Sequence, residues 1–559
     1  MSNISTTGPL ESESVPGGVY GSFRVKDYAT FAQDDIKLTR RLTVNLGLRW
    51  EYFGGMRDSR GYVGNLNTAL LDSAAIPPPG GTLVGFDVAS NYPGTPPPGV
   101  TRRSTPYGQE QRMPLSNFGP RIGFAWQPLH SSNLVVRGGW GIYYQETNGN
   151  VLFFPLNYQP PLALNVGLSN SLQPAATFQT PWPNLPPLGF VPRVVPQVPS
   201  QVQTNAYLGP WNTPKTLAET LNVQYQFLPT WVLEVGYAGN RADHVVAAYQ
   251  ANNIPLLASP ANPITNPQDG TLITTNTAGN AYLRVPWVGF GPMSVLCTCA
   301  DHNSNYNGLQ ISVRKQFSHG LTFQAAYTYS KTLTDFEGGG GDVGGDSNNP
   351  SDLRQAYGPA DFDRTQRIIF NYDYQLPGYH QGRELLGKVL TGWSVSGVTT
   401  LQTGDPLTFV DFLAGSAYYG GINFSSRAQF CSGMSNSDVG TSGSVKARLN
   451  DYVNAAAFCA PPVVSVGGPG TTGTDFGNTG RGILRGPGQD NWDVSIAKAT
   501  RVGGLSEQAH LDFRAEFFNT FNHAQFGDPG EYLHLPSLGV INSTIVAPRL
   551  IQFGLKYVF

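Results

Sequence analysis

Four cysteines, Cys297, Cys299, Cys431 and Cys459, and eight scattered histidines are the side chains of this 559-residue chain best suited to nucleophilic or metal chemistry. None of them falls in a catalytic spacing. There is no His-Glu-x-x-His zinc pair, no Cys-x-x-Cys and no Gly-x-Ser-x-Gly elbow, so the sequence is read as non-enzymatic, with no resident cofactor or metal. The Gly-rich stretch at 338–345 lacks the Gly-Lys-Ser/Thr that completes a phosphate loop. Around it, Asp335, Glu337, Asp342, Asp346 and Asp352 could gather oxygens about a Ca²⁺ ion, although a solvated loop is the preferred reading. The cysteines are either incidental thiols or disulfides of an oxidising cell-surface setting. A Cys431–Cys459 bridge would close a loop, whereas Cys297 and Cys299 stand too close in sequence to bridge comfortably. Trp211, Trp287, Tyr418 and Tyr419 offer faces for a sugar ring or a flat chelate, or else pack against one another.

Such residues need a scaffold, and the composition restricts which. Charged residues make up 13% and aromatics 12%, and the chain holds 66 glycines and 44 prolines. That balance suits many strands joined by irregular loops rather than an α/β or helical domain. The net charge of -2, with Lys and Arg spread throughout, provides no basic field and argues against nucleic acid. No run of 18 apolar residues occurs, which excludes a transmembrane helix and leaves a transmembrane barrel open. The acidic, Ser/Pro-rich start has neither the basic nor the apolar part of an export signal, so residues 1–22 are read as a loop or a truncated beginning.

Strict alternation carries the fold assignment. Leu42, Val44, Leu46, Leu48, Trp50 and Tyr52 occupy one parity, and Thr43, Asn45, Gly47, Arg49 and Glu51 the other. A strand sends successive side chains to opposite faces, so this pattern builds a wall that is apolar on one side and polar on the other. The period recurs in Leu221–Phe227, Leu309–Val313, Leu321–Tyr329 and Leu511–Phe517. Thirteen strands are expected, near 23–38, 42–53, 117–128, 133–145, 216–227, 230–240, 306–317, 320–332, 364–377, 389–402, 490–500, 508–519 and 549–559.

Two features favour a membrane wall over a soluble sandwich. Aromatics sit at the ends of the apolar faces: Trp50, Tyr52, Tyr144, Tyr329 and Phe517 at one end, and Trp126, Phe227, Trp231 and Tyr374 at the other. Connections also alternate, short after odd strands and long after even ones, as in outer-membrane barrels with periplasmic turns and extracellular loops.

Several segments resemble TonB-dependent receptors, particularly the Oar-like branch with a carboxypeptidase-regulatory-like N-terminal domain. They are Phe31-Ala-Gln-Asp-Asp-Ile-Lys37, Asn117-Phe-Gly-Pro-Arg121, Tyr306-Asn-Gly-Leu-Gln310, Asp363-Arg-Thr-Gln-Arg367 and Arg514-Ala-Glu-Phe-Phe-Asn-Thr-Phe-Asn-His523. The resemblance implies an all-β transmembrane antiparallel barrel of about 22 strands. Residues 23–559 would supply its C-terminal portion, with plug, TonB box and about nine strands upstream. It further implies residence in the outer membrane, import of a bulky oligosaccharide or siderophore, and a TonB complex acting through the plug. Leu555, Tyr557 and Phe559 resemble the signal read by the barrel-assembly machinery, or are simply a last strand. The alternative function is a plug-less surface-display or adhesion barrel.

Overall fold

The computed structural model describes residues 11–14, 22–72, 82–108, 113–146, 161–162, 164–167, 204–206, 212–252, 257–266, 269–288, 290, 295–336, 348–349, 352–378, 384–419, 426–465, 473–502 and 509–559. One antiparallel sheet dominates, with strands joined in sequence order: β1 (Tyr28–Thr39), β2 (Leu42–Tyr52), β3 (Asn117–Trp126), β4 (Leu134–Tyr144), β5 (Lys215–Leu228), β6 (Trp231–Gln250), β7 (Val295–Ser318), β8 (Leu321–Thr334), β9 (Gln366–Gln375), β10 (Trp393–Gln402), β11 (Gln489–Arg501), β12 (His510–Phe518) and β13 (Leu550–Val558). All thirteen expected strands are present, each pairing with its sequence neighbours. Two short strands, Thr204–Ala206 and Gly358–Pro359, join off this path.

Register converts the alternation into faces. Asn45 lies opposite Gly123, Gly139 opposite Thr220, and Leu46 opposite Ile122, so polar and small residues line one face and apolar residues the other. The apolar face is open rather than packed: Leu46 is 42% exposed, Ile122 51% and Phe553 68%. No second sheet covers those positions among the described residues, so the opposite-face prediction of a soluble sandwich is not met. Rings cluster where expected. Phe227 and Trp231 are 6.1 Å apart at the short-turn end, and Tyr28 and Tyr52 are 6.3 Å apart at the long-loop end.

Turn chemistry pins the short-turn end. Between β7 and β8, His319 and Gly320 adopt φ of 50° and 77°, the two left-handed residues of a tight hairpin turn. The Lys315 Nζ closes it by donating to the Ser318 and Leu321 carbonyls at 2.6 and 2.8 Å. The β9–β10 connection holds a short helix, α1 (Glu384–Leu390), where the sequence suggested only a turn, and Lys498 Nζ donates to its last carbonyls at Lys388 and Thr391.

Several expectations are corrected. Strand β1 begins at Tyr28 rather than 23, because Phe23–Arg24 pairs separately with Arg57–Asp58, and β10 begins at Trp393 rather than 389, because Val389 and Leu390 close α1. Strands β6 and β7 run 20 and 24 residues, far beyond the 9 to 11 a membrane needs, and stand as a ribbon above the wall. Above Asp243 the ribbon's inner and outer faces both meet loops, so alternation loses its purpose there. Within residues 1–22, read as loop, Glu11–Ser14 forms a short strand paired with Leu164–Gly167. Cys297 and Cys299, read as standing too close in sequence to bridge comfortably, lie on one face of β7 with Cα atoms 5.6 Å apart, since residues two apart on a strand point the same way.

The buried apolar clusters belong to the loops. One unites Leu407, Phe409, Tyr452, Val453, Leu533 and Ile541 from the β10–β11 and β12–β13 loops. Another joins Leu66, Leu83 and Phe86 of the β2–β3 loop to Phe290 and Val295 beside the ribbon. The long loops therefore fold into a cap with its own cores, while the wall below exposes both faces.

Candidate functional site: the inner wall and its loop cap

The polar face carries the first candidate. Register places Thr322, Asp373, Ser396, Ser495 and Glu516 in one row across β8–β12, and Arg314, Gln324, Asn371, Val398 and Asp493 in the next. Together they line a cavity of 470 Å³. Some charges on this face are paired, Arg49 with Glu51 at 2.9 Å and Arg514 with the cavity's Glu516 at 3.5 Å, and Asn222 donates to Glu234 at 2.6 Å. Such a face holds water and polar solutes, and the cavity on it also takes in Phe323, Tyr372, Phe517 and Phe518.

The rim where wall meets cap is laced by ion pairs that bring in the Asp363-Arg-Thr-Gln-Arg367 segment. The Asp363 carboxylate is fully buried, accepts the Thr332 backbone N–H at 2.6 Å and pairs with Arg485. Arg364 pairs with Asp405, and Arg481 Nη2 meets Asp361 at 3.0 Å. The β8–β9 and β10–β11 loops are thereby tied together. Burial raises the nearby Asp528 carboxyl above its usual range, with Arg364 opposing. At the top of β12, Asn519 takes a φ of 48° and closes a turn by accepting the His523 N–H at 3.0 Å and donating to the His523 and Ala547 carbonyls. The Asn-Thr-Phe-Asn-His segment thus forms a hydrogen-bonded turn at the top of β12.

Sequence-predicted residues fall out as follows. Cys431 and Cys459 are disulfide-bonded with Cα atoms 4.9 Å apart, closing part of the β10–β11 loop. Glu337, Asp342 and Asp346 lie outside the described residues. Asp335 and Asp352 are engaged locally: Asp352 caps a short helix through the Arg354 N–H, and Asp335 accepts from Asn303 at 2.8 Å and faces the buried His302 at 3.3 Å. Burial would raise the Asp335 carboxyl, yet the bonds from His302 and Asn303 hold it below its ordinary value. Tyr418 stacks on Phe476 at 4.4 Å and donates to Asp475, and Trp287 packs against the Phe86–Phe290 cluster, so both serve cap packing. Trp211 and the Tyr419 side chain lie outside what is described. Leu555, Tyr557 and Phe559 are 69%, 40% and 76% exposed along β13, with the last two rings stacked.

Sequence reasoning missed two cap features: the Asp411–His534 pair at 3.1 Å, which zips the β10–β11 and β12–β13 loops, and Arg284, a buried cation in the β6–β7 loop. Neither sits in a periodic segment, so nothing in the sequence marked them.

A sequential antiparallel wall, apolar outside and polar inside, with two aromatic rims and a folded cap at one end, defines an outer-membrane β-barrel protein. The outer membrane beta barrel domain family matches residues 6–552, and the chain belongs to it. No curated protein matches the sequence. Similar solved structures include the outer membrane transporter YddB from Escherichia coli (9% identity, TM-score 0.41, 95% of this chain and 44% of that one). Others are the siderophore receptor PirA from Pseudomonas aeruginosa (9%, 0.32, 89% and 44%) and the FrpB iron transporter from Neisseria meningitidis (10%, 0.37, 95% and 45%). The chain spans less than half the length of each.

Proposed function

We propose that this chain is the wall and cap of a TonB-dependent outer-membrane transporter, capturing a bulky oligosaccharide or siderophore-class ligand at the long-loop end and importing it without chemical change. The observation that carries the reading is the division of labour. Every buried apolar cluster among the described residues lies in the cap, and below it the wall carries rows of polar side chains beside a concavity. A folded cap is a recognition surface, and a polar wall is a path.

The outer edges of β1 and β13 have no strand partner among the described residues. Unmet backbone groups in hydrocarbon cost several kcal/mol each. Alternation sets a rule for closing the gap: β1 and β13 run in the same direction, so antiparallel closure needs an odd number of further strands. The proposal is about nine such strands and a plug, through which a TonB complex acts, with insertion by the barrel-assembly machinery reading Leu555, Tyr557 and Phe559.

The test is conductance of the protein, as made from its own gene, in planar lipid bilayers. A plugged transporter is silent until concentrated urea unfolds the plug reversibly. A steadily open channel in plain buffer, or a protein that remains in the aqueous phase without detergent, defeats the proposal; the first outcome favours a display or adhesion barrel.

A further inference from the structure

Among the described residues, Arg284 is a cation with no carboxylate partner. It is 4% exposed in the β6–β7 loop, against Ala281, Val285, Val288 and Tyr418. Nε donates to Asn280 Oδ1 at 2.8 Å, and Nη2 to the carbonyls of Thr277 and Ala417 at 3.2 and 2.5 Å. Nη1 is buried with no acceptor, and no carboxylate pairs with the guanidinium among the described residues. The acid on the Tyr418 side, Asp475, already accepts from the Tyr418 hydroxyl at 3.0 Å and the Phe476 N–H at 2.8 Å. Two other buried arginines of the cap meet carboxylates: Arg103 meets Asp87 at 3.1 Å and Arg481 meets Asp361. Burial accordingly lowers the Arg284 pKa to about 10.

A guanidinium removed from water is stable only when paired, because neutral carbonyls replace its hydration incompletely. Carbonyls occupy one edge of Arg284; the other is left for an anion. Its Ala417 partner lies in α2 (Ser416–Tyr419), a four-residue helix of the separate β10–β11 loop that closes over it. The charge thus sits at a seam between two loops, where parting them exposes it.

We propose that Arg284 is an oxyanion-recognition residue of the cap, taking a carboxylate or phosphate group of the captured ligand in exchange for the Ala417 carbonyl when the 277–285 and 416–419 segments separate. This rests on the ligand-capture reading, but its test involves no transport, so the two fail separately. A guanidinium suits a planar or tetrahedral oxyanion by its fork of N–H donors.

The full chain, purified in detergent, is titrated with inorganic phosphate and separately with succinate at constant ionic strength, with chloride as reference, following the thermal midpoint. A saturable rise with either oxyanion, absent with chloride, is expected. A phosphate-only or succinate-only response identifies the group. Arg284→Met should weaken half-saturation about tenfold to a hundredfold, the worth of charge-assisted hydrogen bonds, while Arg284→Lys retains saturable binding. No oxyanion response in the unmodified chain, or an unchanged response in Arg284→Met, overturns the proposal. If Arg284→Met does not fold, the unmodified chain and Arg284→Lys still decide.

Discussion

Replacing Leu46 by arginine tests the wall where its two faces differ most. Leu46 lies on the outward face of β2, opposite Asp34 and Ile122, and is 42% exposed. It stands four residues from Leu42, which faces Trp126 at one rim, and four from Trp50, which faces Phe118 at the other. Eight residue steps of about 3.3 Å span roughly 26 Å of strand, or about 18–21 Å of height at a tilt of about 35–45°, most of the apolar band of a barrel, so Leu46 sits near its middle. An arginine on the lipid face at that depth costs about 2–4 kcal/mol. That corresponds to about a 30- to 1,000-fold loss in the folding equilibrium. The neighbouring Asn45 points the other way and donates to Asp35 Oδ1 at 2.5 Å. Asn45→Arg keeps a donor beside that carboxylate in water, so its cost should stay within about 0.5 kcal/mol. The assay is urea-driven folding and unfolding of the intact protein in lipid vesicles, followed by tryptophan fluorescence and heat-modifiable gel migration. Equal costs for the two substitutions would mean that both faces meet the same medium, and the membrane reading would be lost.

Further outcomes are expected in the cap. Cys431→Ser opens a bridge of 28-residue separation, which should lower local stability of the β10–β11 loop by about 3–4 kcal/mol while leaving wall amides protected in hydrogen exchange. Arg485→Leu strands the buried Asp363 carboxylate and should raise exchange rates across residues 403–419 and 473–488, whereas a surface control such as Arg354→Leu should not. Burial raises the Asp87 carboxyl from 3.8 to about 6, against Arg103 and Asn67. The folded cap therefore binds the extra proton between about pH 4 and 6, so its stability falls as pH rises through that window and levels off above it, by up to about 3 kcal/mol. Asp87→Asn should flatten that part of the stability profile, measured by cap exchange rates. Tyr557→Ser with Phe559→Ser should reduce the yield of assembled protein in the outer membrane; an unchanged yield counts against a recognition role for these rings.

The wall was legible because a single physical demand, lipid outside and water inside, writes period two onto every strand. Leu42 to Tyr52 and Leu511 to Phe517 show it without interruption, and the bounds of their strands match those expected to within two residues. Where the demand ends, so does the signal. In β6 the run Val245-Val-Ala-Ala-Tyr249 pairs with β7 above the wall, yet it carries no alternation, since both faces there meet protein. The cap cores were invisible for a related reason. Phe409 packs on Phe458 at 5.2 Å across 49 residues of Gly- and Ser-rich chain, and nothing local forecasts such a meeting. Arg284, in Ala-Tyr-Leu-Arg-Val, looked like any solvated loop cation until the fold buried it.

The loop-borne location of every buried cluster has a corollary. A substitution at Leu407 or Val453 acts within the cap core, and one at Leu46 on the outward face of the wall. The cap's cores can therefore be altered without disturbing the lattice of paired backbones beneath them.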